Sequence, residues 1–309
     1  MEERVASRTA LATARMRAIH TRRDPLPILH DPWGDQLVPA SLLVAAIDSS
    51  PQGAAGARGD VAEDMLATIT DDYLRASPAY TNVIARSRYT EDALAAAIAR
   101  GVRQYVLVGA GFDSYALRRP PQARAVEVFE LDHPATQTLK RQRMADCGIE
   151  PGEGVHFVAA DLASERVGDA LSRTTFDAAR PAFFSWLGVT MYLTREANLA
   201  TLGSIARCSA AGSELVFSYT DQHMFEAAGA PDAALYEELK QSVSSLGEPF
   251  VSGFHPAELP RELRTLGLEL EEDMSDIQLL QRYDPAGKNG LKAAGRSHIA
   301  RVRVRGGQH

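Results

Sequence analysis

The stretch Val106-Leu107-Val108-Gly109-Ala110-Gly111-Phe112-Asp113-Ser114 leaves this chain few folds to choose from. An apolar run rich in β-branched valine, too short for a globular helix, meets two glycines one residue apart. That combination reads as a buried parallel strand breaking into a tight turn where the backbone comes close to a ligand. A second apolar run, Ala125 to Leu131, ends in Asp132. A carboxylate therefore falls about 20 residues past the glycines, the spacing at which a nucleotide-binding βαβ unit holds a ribose. A third run, Val155 to Ala160, ends in Asp161.

From Val102 onward, strand and helix patterns alternate, the signature of a parallel sheet with crossover helices. Strands are expected at about 104–109, 125–131, 155–160, 182–187 and 213–219, with helices near 113–118, 134–147, 164–172 and 195–210. Two alternating runs, Leu268 to Glu271 and His298 to Val304, have no clear helix pattern between them and suit an antiparallel hairpin at the sheet edge. The fold class expected is α/β. It is a Rossmann-like, seven-stranded, mostly parallel sheet with an antiparallel edge strand, plus an N-terminal helical arm and a helical cap insertion at about 222–246.

Ahead of the sheet, helices are expected at about 3–20, 37–47, 62–74 and 79–100, with Asp31-Pro32-Trp33-Gly34-Asp35 as a helix-stopping turn and Ser49 to Gly59 as a small-residue loop. Residues 1–101 then form arm and cap elements packed on a core of residues 102–309, one structural domain overall.

Charge and cysteine content narrow the function classes. A net charge of -7 and a pI near 5.7 argue against nucleic acid, which needs a concentrated basic surface. The tail arginines Arg296, Arg301, Arg303 and Arg305 alternate with apolar residues and read as the polar rim of a terminal strand. Cys147 and Cys208 lie far apart without ligand spacing to histidines, so a reducing compartment is expected, with neither a disulfide framework nor a metal. No stretch approaches the roughly 18 apolar residues of a membrane span, and no signal-peptide core is visible. A cytoplasmic protein, a monomer or a homodimer with a small-molecule partner, is the expectation.

Two cofactor classes compete for the glycine turn. A dinucleotide site calls for a third glycine where Ser114 stands, so that the next helix meets the pyrophosphate. Asp113 would repel that pyrophosphate. Carboxylates at three strand ends, Asp113, Asp132 and Asp161, instead suit a nucleoside without phosphates; Asp161 alone would be read as a helix cap.

These motifs resemble the leucine carboxyl methyltransferase-like family of class I S-adenosylmethionine-dependent methyltransferases, in its bacterial branch. The resemblance spans roughly residues 8 to 305. It rests on Arg86-Ser87-Arg88-Tyr89, on Gln104 through Ser114, on Phe129-Glu130-Leu131-Asp132-His133-Pro134 with Lys140, on Ala160-Asp161-Leu162, on Gly188 through Thr194, and on Asp31-Pro32-Trp33. It implies an S-adenosylmethionine-dependent O-methyltransferase acting on a small-molecule carboxylate or hydroxyl.

By the same resemblance, Arg88 binds the methionine carboxylate, with Arg86 as the alternative. Gly109 and Gly111 line the methionine portion beside Asp113, Asp132 holds the ribose, and Asp161 with Leu162 the adenine. Arg15 or Arg17 of the arm also approaches the cofactor. Many relatives carry a glutamate where this chain has Leu187, just before Gly188. The other readings are an NAD(P)-dependent oxidoreductase, or a cofactor-binding protein that has lost catalysis.

A carboxylate acceptor is ionised at neutral pH and requires no general base, whereas a phenol or alcohol must lose a proton. Tyr192 and His223 are the catalytic candidates, with Asp221 and His20 behind them. Trp33, Met224, Phe225, Tyr236, Phe250 and Phe254 are candidates for the acceptor pocket.

Overall fold

The computed structural model describes residues 6–48, 63–226 and 250–306. Five helices come first: α1 (Arg8–Arg23), α2 (Trp33–Leu37), α3 (Ala40–Asp48), α4 (Glu63–Ala76) and α5 (Tyr80–Ala99). The alternating part follows as β1 (Gln104–Val108), β2 (Glu127–Asp132), α6 (Pro134–Asp146), β3 (Val155–Ala159), α7 (Val167–Leu171), β4 (Phe183–Trp186), α8 (Arg195–Arg207) and β5 (Glu214–Thr220). The last two strands are β6 (Leu268–Ser275) and β7 (Ser297–Val304).

All seven strands form one sheet in the order β3-β2-β1-β4-β5-β7-β6. The first five pair in parallel, and β7 is antiparallel to both β5 and β6. The antiparallel strand thus lies one place in from the edge and β6 is outermost. Buried on both faces, β1 and β5 read as near-continuous apolar runs, as central parallel strands do. The strand order reverses between β1 and β4, and crevices at such a switch point, beyond the carboxyl ends of the strands, are where open α/β sheets bind ligands.

Three expectations need correction. No α-helix follows the glycine turn: only the 3-10 turns Tyr115–Leu117 and Pro121–Ala123 form, because Pro120-Pro121 lacks the amides a longer helix needs. A helix, Asp276–Tyr283, does separate β6 from β7, opened by a capping box between Ser275 and Gln278. Finally, Trp33–Leu37 is helical where a turn was expected. Gly34 does not stop a helix; it lets α2 close onto α1, since a Cβ there would stand 2.1 Å from the Ala14 carbonyl oxygen. The 49–59 loop and most of the 222–246 insertion lie outside the described residues, which include only its first helical turn, His223–Glu226.

The core has three parts. Two clusters cover the faces of the sheet, one centred on Phe129, Trp186 and Phe217, the other on Leu94, Tyr105 and Phe183. The third joins arm to core: Leu11, Ile19 and Leu43 pack with Ile84 of α5 and with Phe112 and Met144. Of the tail arginines, Arg301 and Arg303 lie on strand β7 against Glu271 and Arg305 just beyond it against Glu269, while Arg296 immediately precedes the strand.

Candidate active site

A cavity of about 870 Å³ opens over the carboxyl ends of β1, β2, β3 and β4. Its floor is the glycine turn. Gly109 and Gly111 both have positive φ, 69° and 52°, which side chains rarely adopt. A Cβ on Gly109 would stand 2.7 Å from Val189 Cγ2, and one on Gly111 3.0 Å from Ala10 Cβ, because the arm passes over the turn.

The turn's amides are already committed. Gly109 and Ala110 both donate to the Leu131 carbonyl at 2.9 Å, Asp113 donates to Ala110 at 2.8 Å, and Gly111 donates to the Asp132 carboxylate. A pyrophosphate site needs such amides free and a helix N-terminus behind them. This turn offers neither, so the dinucleotide reading fails on geometry as well as on the charge of Asp113.

Asp132 Oδ1 also accepts the His133 amide at 2.6 Å, which fixes the carboxylate at the cavity wall. Burial pushes its pKa up, against the pull of the two amides. Asp113 lines the cavity while its Oδ1 caps the next turn through the Tyr115 amide at 2.7 Å. Asp161 has both roles weighed for it: Oδ1 accepts the Ala163 amide at 3.0 Å, and the residue lines the cavity beside Leu162. Lys140, paired with the buried Glu130 at 2.5 Å, donates to the Asp113 carbonyl at 2.6 Å and so braces the turn from behind.

The two arginines of α5 part company. Arg88 lies outside the cavity, its side chain 41% exposed, paired with Asp92 at 3.0 Å, donating to the Ile28 carbonyl and lying over the Tyr283 ring. Arg86 is buried in the cavity wall against Gly188, where a Cβ would meet its guanidinium at 2.5 Å. Its Nη1 donates to Asn82 at 3.0 Å, and its Nε has no hydrogen-bond partner. Burial pulls its pKa down to about 10, the nearby Tyr192 working the other way. No salt bridge to Arg86 exists among the described residues; Leu187, where the resemblance led to the expectation of a glutamate, lines the cavity without a charge.

Of the two arm arginines expected near the cofactor, Arg17 reaches the cavity, which Arg8 lines as well. Arg17 donates to the Phe112 carbonyl and to Asp31, both at 2.7 Å, while Arg15 turns away to Asp71. The Asp31-Pro32-Trp33 motif thereby gains a structural reason: its fully buried carboxylate holds the arginine that holds the glycine turn.

Tyr192 lines the cavity, with Phe250 packed at 5.6 Å behind it. His223 does not; it pairs with Asp221 at 2.8 Å outside the cavity, so its expected catalytic place is not borne out. His20 is buried against Asp24. Among the described residues none of the expected aromatic and thioether wall candidates lines the cavity: Phe254 is in the sheet core and Trp33 packs on the arm cluster; Tyr236 lies outside the described residues. Apolar lining is supplied instead by Leu187, Val189, Leu193 and Val251, and the first turn of the arm and Thr13 line the cavity too. Ser185, Thr13 and Val251 left no motif in the sequence; only the folded chain brings them together.

The order of the sheet sorts the charges along this cavity. Asp161 and Asp132 stand over β3 and β2, the glycines over β1, and Arg86 beside Gly188 over β4. The fold is that of the class I methyltransferases. A methyltransferase-named structure from Thermobifida fusca shares the fold, with a TM-score of 0.55 at 17% identity over 85% of this chain and 94% of that one. The leucine carboxyl methyltransferase family matches residues 10–206. A Bacillus subtilis protein named as a candidate S-adenosyl-L-methionine-dependent methyltransferase is 29% identical over 95% of this chain and 96% of its own length. One from Mycolicibacterium smegmatis, named likewise, is 34% identical over 72% of this chain and 69% of its own. The chain belongs to the leucine carboxyl methyltransferase family and is an S-adenosylmethionine-dependent methyltransferase.

Proposed function

We propose that the protein moves a methyl group from S-adenosylmethionine to an oxygen of a small molecule, and that this oxygen belongs to a carboxylate. The observation that carries the cofactor part is the polarity of the cavity: two carboxylates at one end, an unpaired buried guanidinium at the other, and a glycine floor between them. A nucleoside joined to an amino acid has the complementary polarity. Asp132 accepts the ribose hydroxyls, Asp161 and Leu162 flank the adenine, Gly109 and Gly111 admit the methionine chain, and Arg86, in place of Arg88, receives its carboxylate on two parallel hydrogen bonds. Arg86 Nε is the orphaned donor that such a carboxylate satisfies.

Bound there, the sulfonium supplies an electrophilic methyl. The chain's part is to hold the acceptor oxygen in line with it and to keep water away. Leu187, Val189, Leu193 and Val251 make an apolar wall suited to the second task. The choice of a carboxylate follows from what stands near Arg86. His133, the one histidine among the described lining residues, follows Asp132 at the nucleoside end, and His223 is outside. An acceptor that arrives ionised is suited to a wall with no imidazole base. Tyr192 orients the acceptor by a hydrogen bond in this reading.

Two measurements test it. Calorimetry is expected to give binding of S-adenosylmethionine and of its demethylated product but not of NAD(P), with affinity lost in D132A. Incubation of methyl-labelled cofactor with panels of carboxylic acids, phenols and alcohols is expected to give label that mild base releases as methanol, as methyl esters require. Label found only in base-stable ethers would overturn the carboxylate; no transfer to any panel would overturn the oxygen acceptor.

A further inference from the structure

Three possible metal ligands converge at the carboxyl end of β5. Asp221 follows the last residue of the strand, His223 opens the next helical turn, and His255 lies just ahead of the helix Leu259–Thr265. A carboxylate oxygen of Asp221 and one ring nitrogen from each histidine all lie within 4.8 Å of one another. The imidazoles meet edge to face at 4.9 Å, and Asp221 Oδ1 takes the His223 amide at 3.0 Å and faces its Nδ1 at 2.8 Å.

Both pieces of backbone that carry these side chains are pinned. Asp221 and Phe254 form a parallel bridge: the Phe254 amide donates to Thr220 at 3.0 Å and the Gln222 amide to Phe254 at 2.9 Å. So close an approach requires glycine at 253, where a Cβ would stand 2.4 Å from the Thr220 carbonyl oxygen. Beyond, the amides of Glu258 and Leu259 both donate to the His255 carbonyl at 3.0 Å. Donors around a tetrahedral ion stand about 3.4 Å apart, so no pair of these ligand atoms, all within 4.8 Å, has far to close. His223, with 58% of its side chain exposed, is free to rotate.

We propose that Asp221, His223 and His255 bind a divalent transition-metal ion, zinc by preference, and that the ion ties the end of β5 to the 250–255 segment. Two borderline imidazoles with one carboxylate make a ligand set that zinc accepts, whereas calcium and magnesium want oxygen throughout. Three protein ligands leave a fourth position to water. Arg195, over the ring of Phe254 at 5.6 Å, has its charge met by Glu262, so it does not oppose the ion unscreened.

The tie has a consequence for the cavity. Val251, on the same segment, donates its amide to the Met191 carbonyl at 2.7 Å and lines the cavity wall. An ion that fixes His255 to β5 therefore steadies that wall. This departs from the expectation of no metal, which was drawn from cysteine spacing and did not consider histidines brought together by the fold.

Zinc chloride titrated by calorimetry into the tag-free full chain is expected to show one site per molecule, with calcium chloride showing none. H255A and D221N are each expected to weaken zinc at least about tenfold, since loss of a partner behind a ligand already costs that much. Excess zinc is expected to raise the Tm by about 5 °C. Cobalt(II) should give visible d–d bands in the native chain that vanish in H223N, whose exposed position spares the fold. Zinc binding unchanged in H255A and D221N, cobalt bands retained in H223N, or no saturable zinc binding at all would each overturn the site.

Discussion

Arg86 and Arg88 sit two residues apart on one helix and live in opposite surroundings, because residues at that spacing never share a helix face. Arg88 has an exposed ion pair of the kind worth little. Arg86 is a buried charge with an unmet donor, a cost that the cofactor carboxylate proposed above would offset. R86M is therefore expected to weaken S-adenosylmethionine by about 2–3 kcal/mol, roughly 30- to 150-fold in Kd, while raising the Tm of the free protein. R88A is expected to leave affinity within about twofold. Paired calorimetry and thermal melts check both, and a larger loss in R88A would reverse the assignment. The sequence showed both arginines but not their phase. Helix α5 is buried over most of its circumference, so its apolar pattern has no clean period from which to read which arginine points inward. Asp132 was legible for the opposite reason: as the last residue of β2 it has its place fixed by the sheet.

At the scale of elements, α1 and the glycine turn are coupled through one carboxylate. Asp31 holds Arg17 at 2.7 Å and lies 3.7 Å from Arg118, and Arg17 reaches on to Phe112. Burial by itself works to raise the Asp31 pKa, but the two guanidinium charges leave it below its ordinary value of 3.8. A carboxyl depressed on folding contributes stability that is complete above its unfolded pKa and is lost as pH falls through the folded one. D31N is thus expected to lose about 3 kcal/mol or more at neutral pH, as breaking a buried pair does. The gap between wild type and variant should stay level down to about pH 5 and shrink below 3.8. Chemical denaturation across that pH range measures it; a gap that widened on acidification would contradict the sign. The Asp-Pro-aromatic motif was visible in sequence as punctuation only. Its purpose needed the partner arginine, which lies 14 residues upstream and is reached by folding α2 back onto α1. Elements defined by their own residues fared better: the first five strands and the long helices fall within a few residues of expectation. The helix Asp276–Tyr283 was missed although Ser275 and Gln278 spelled its cap, because the alternating runs on either side resembled a simple hairpin.

For the molecule as a whole, the question is whether the arm is an accessory or part of the fold. The cavity takes its floor and one end from the sheet, but Ala6 to Ala10, Thr13, Arg17 and Arg86 all come from before residue 102. The junction is also apolar. Phe112 and Met144 of the core are buried among Leu11, Ile19, Leu43 and Ile84, and α5 covers one face of the sheet through Leu94, Ala97 and Ile98. We propose that residues 1–101 and 102–309 form one cooperative unit. A fragment of residues 102–309 would expose that face of β1, β4 and β5 to water, an apolar area far larger than monomers tolerate. It is expected to be insoluble or to lack a cooperative melt, and to bind no S-adenosylmethionine even where soluble. The full chain is expected to melt in one transition, with equal calorimetric and van't Hoff enthalpies, that the cofactor's demethylated product shifts upward intact. Two separate transitions, only one of them moved by ligand, would divide the molecule where the sequence pattern changes at Val102. That division is what the strand–helix alternation alone suggests, and the side chains packed across it are the reason to expect the single transition instead.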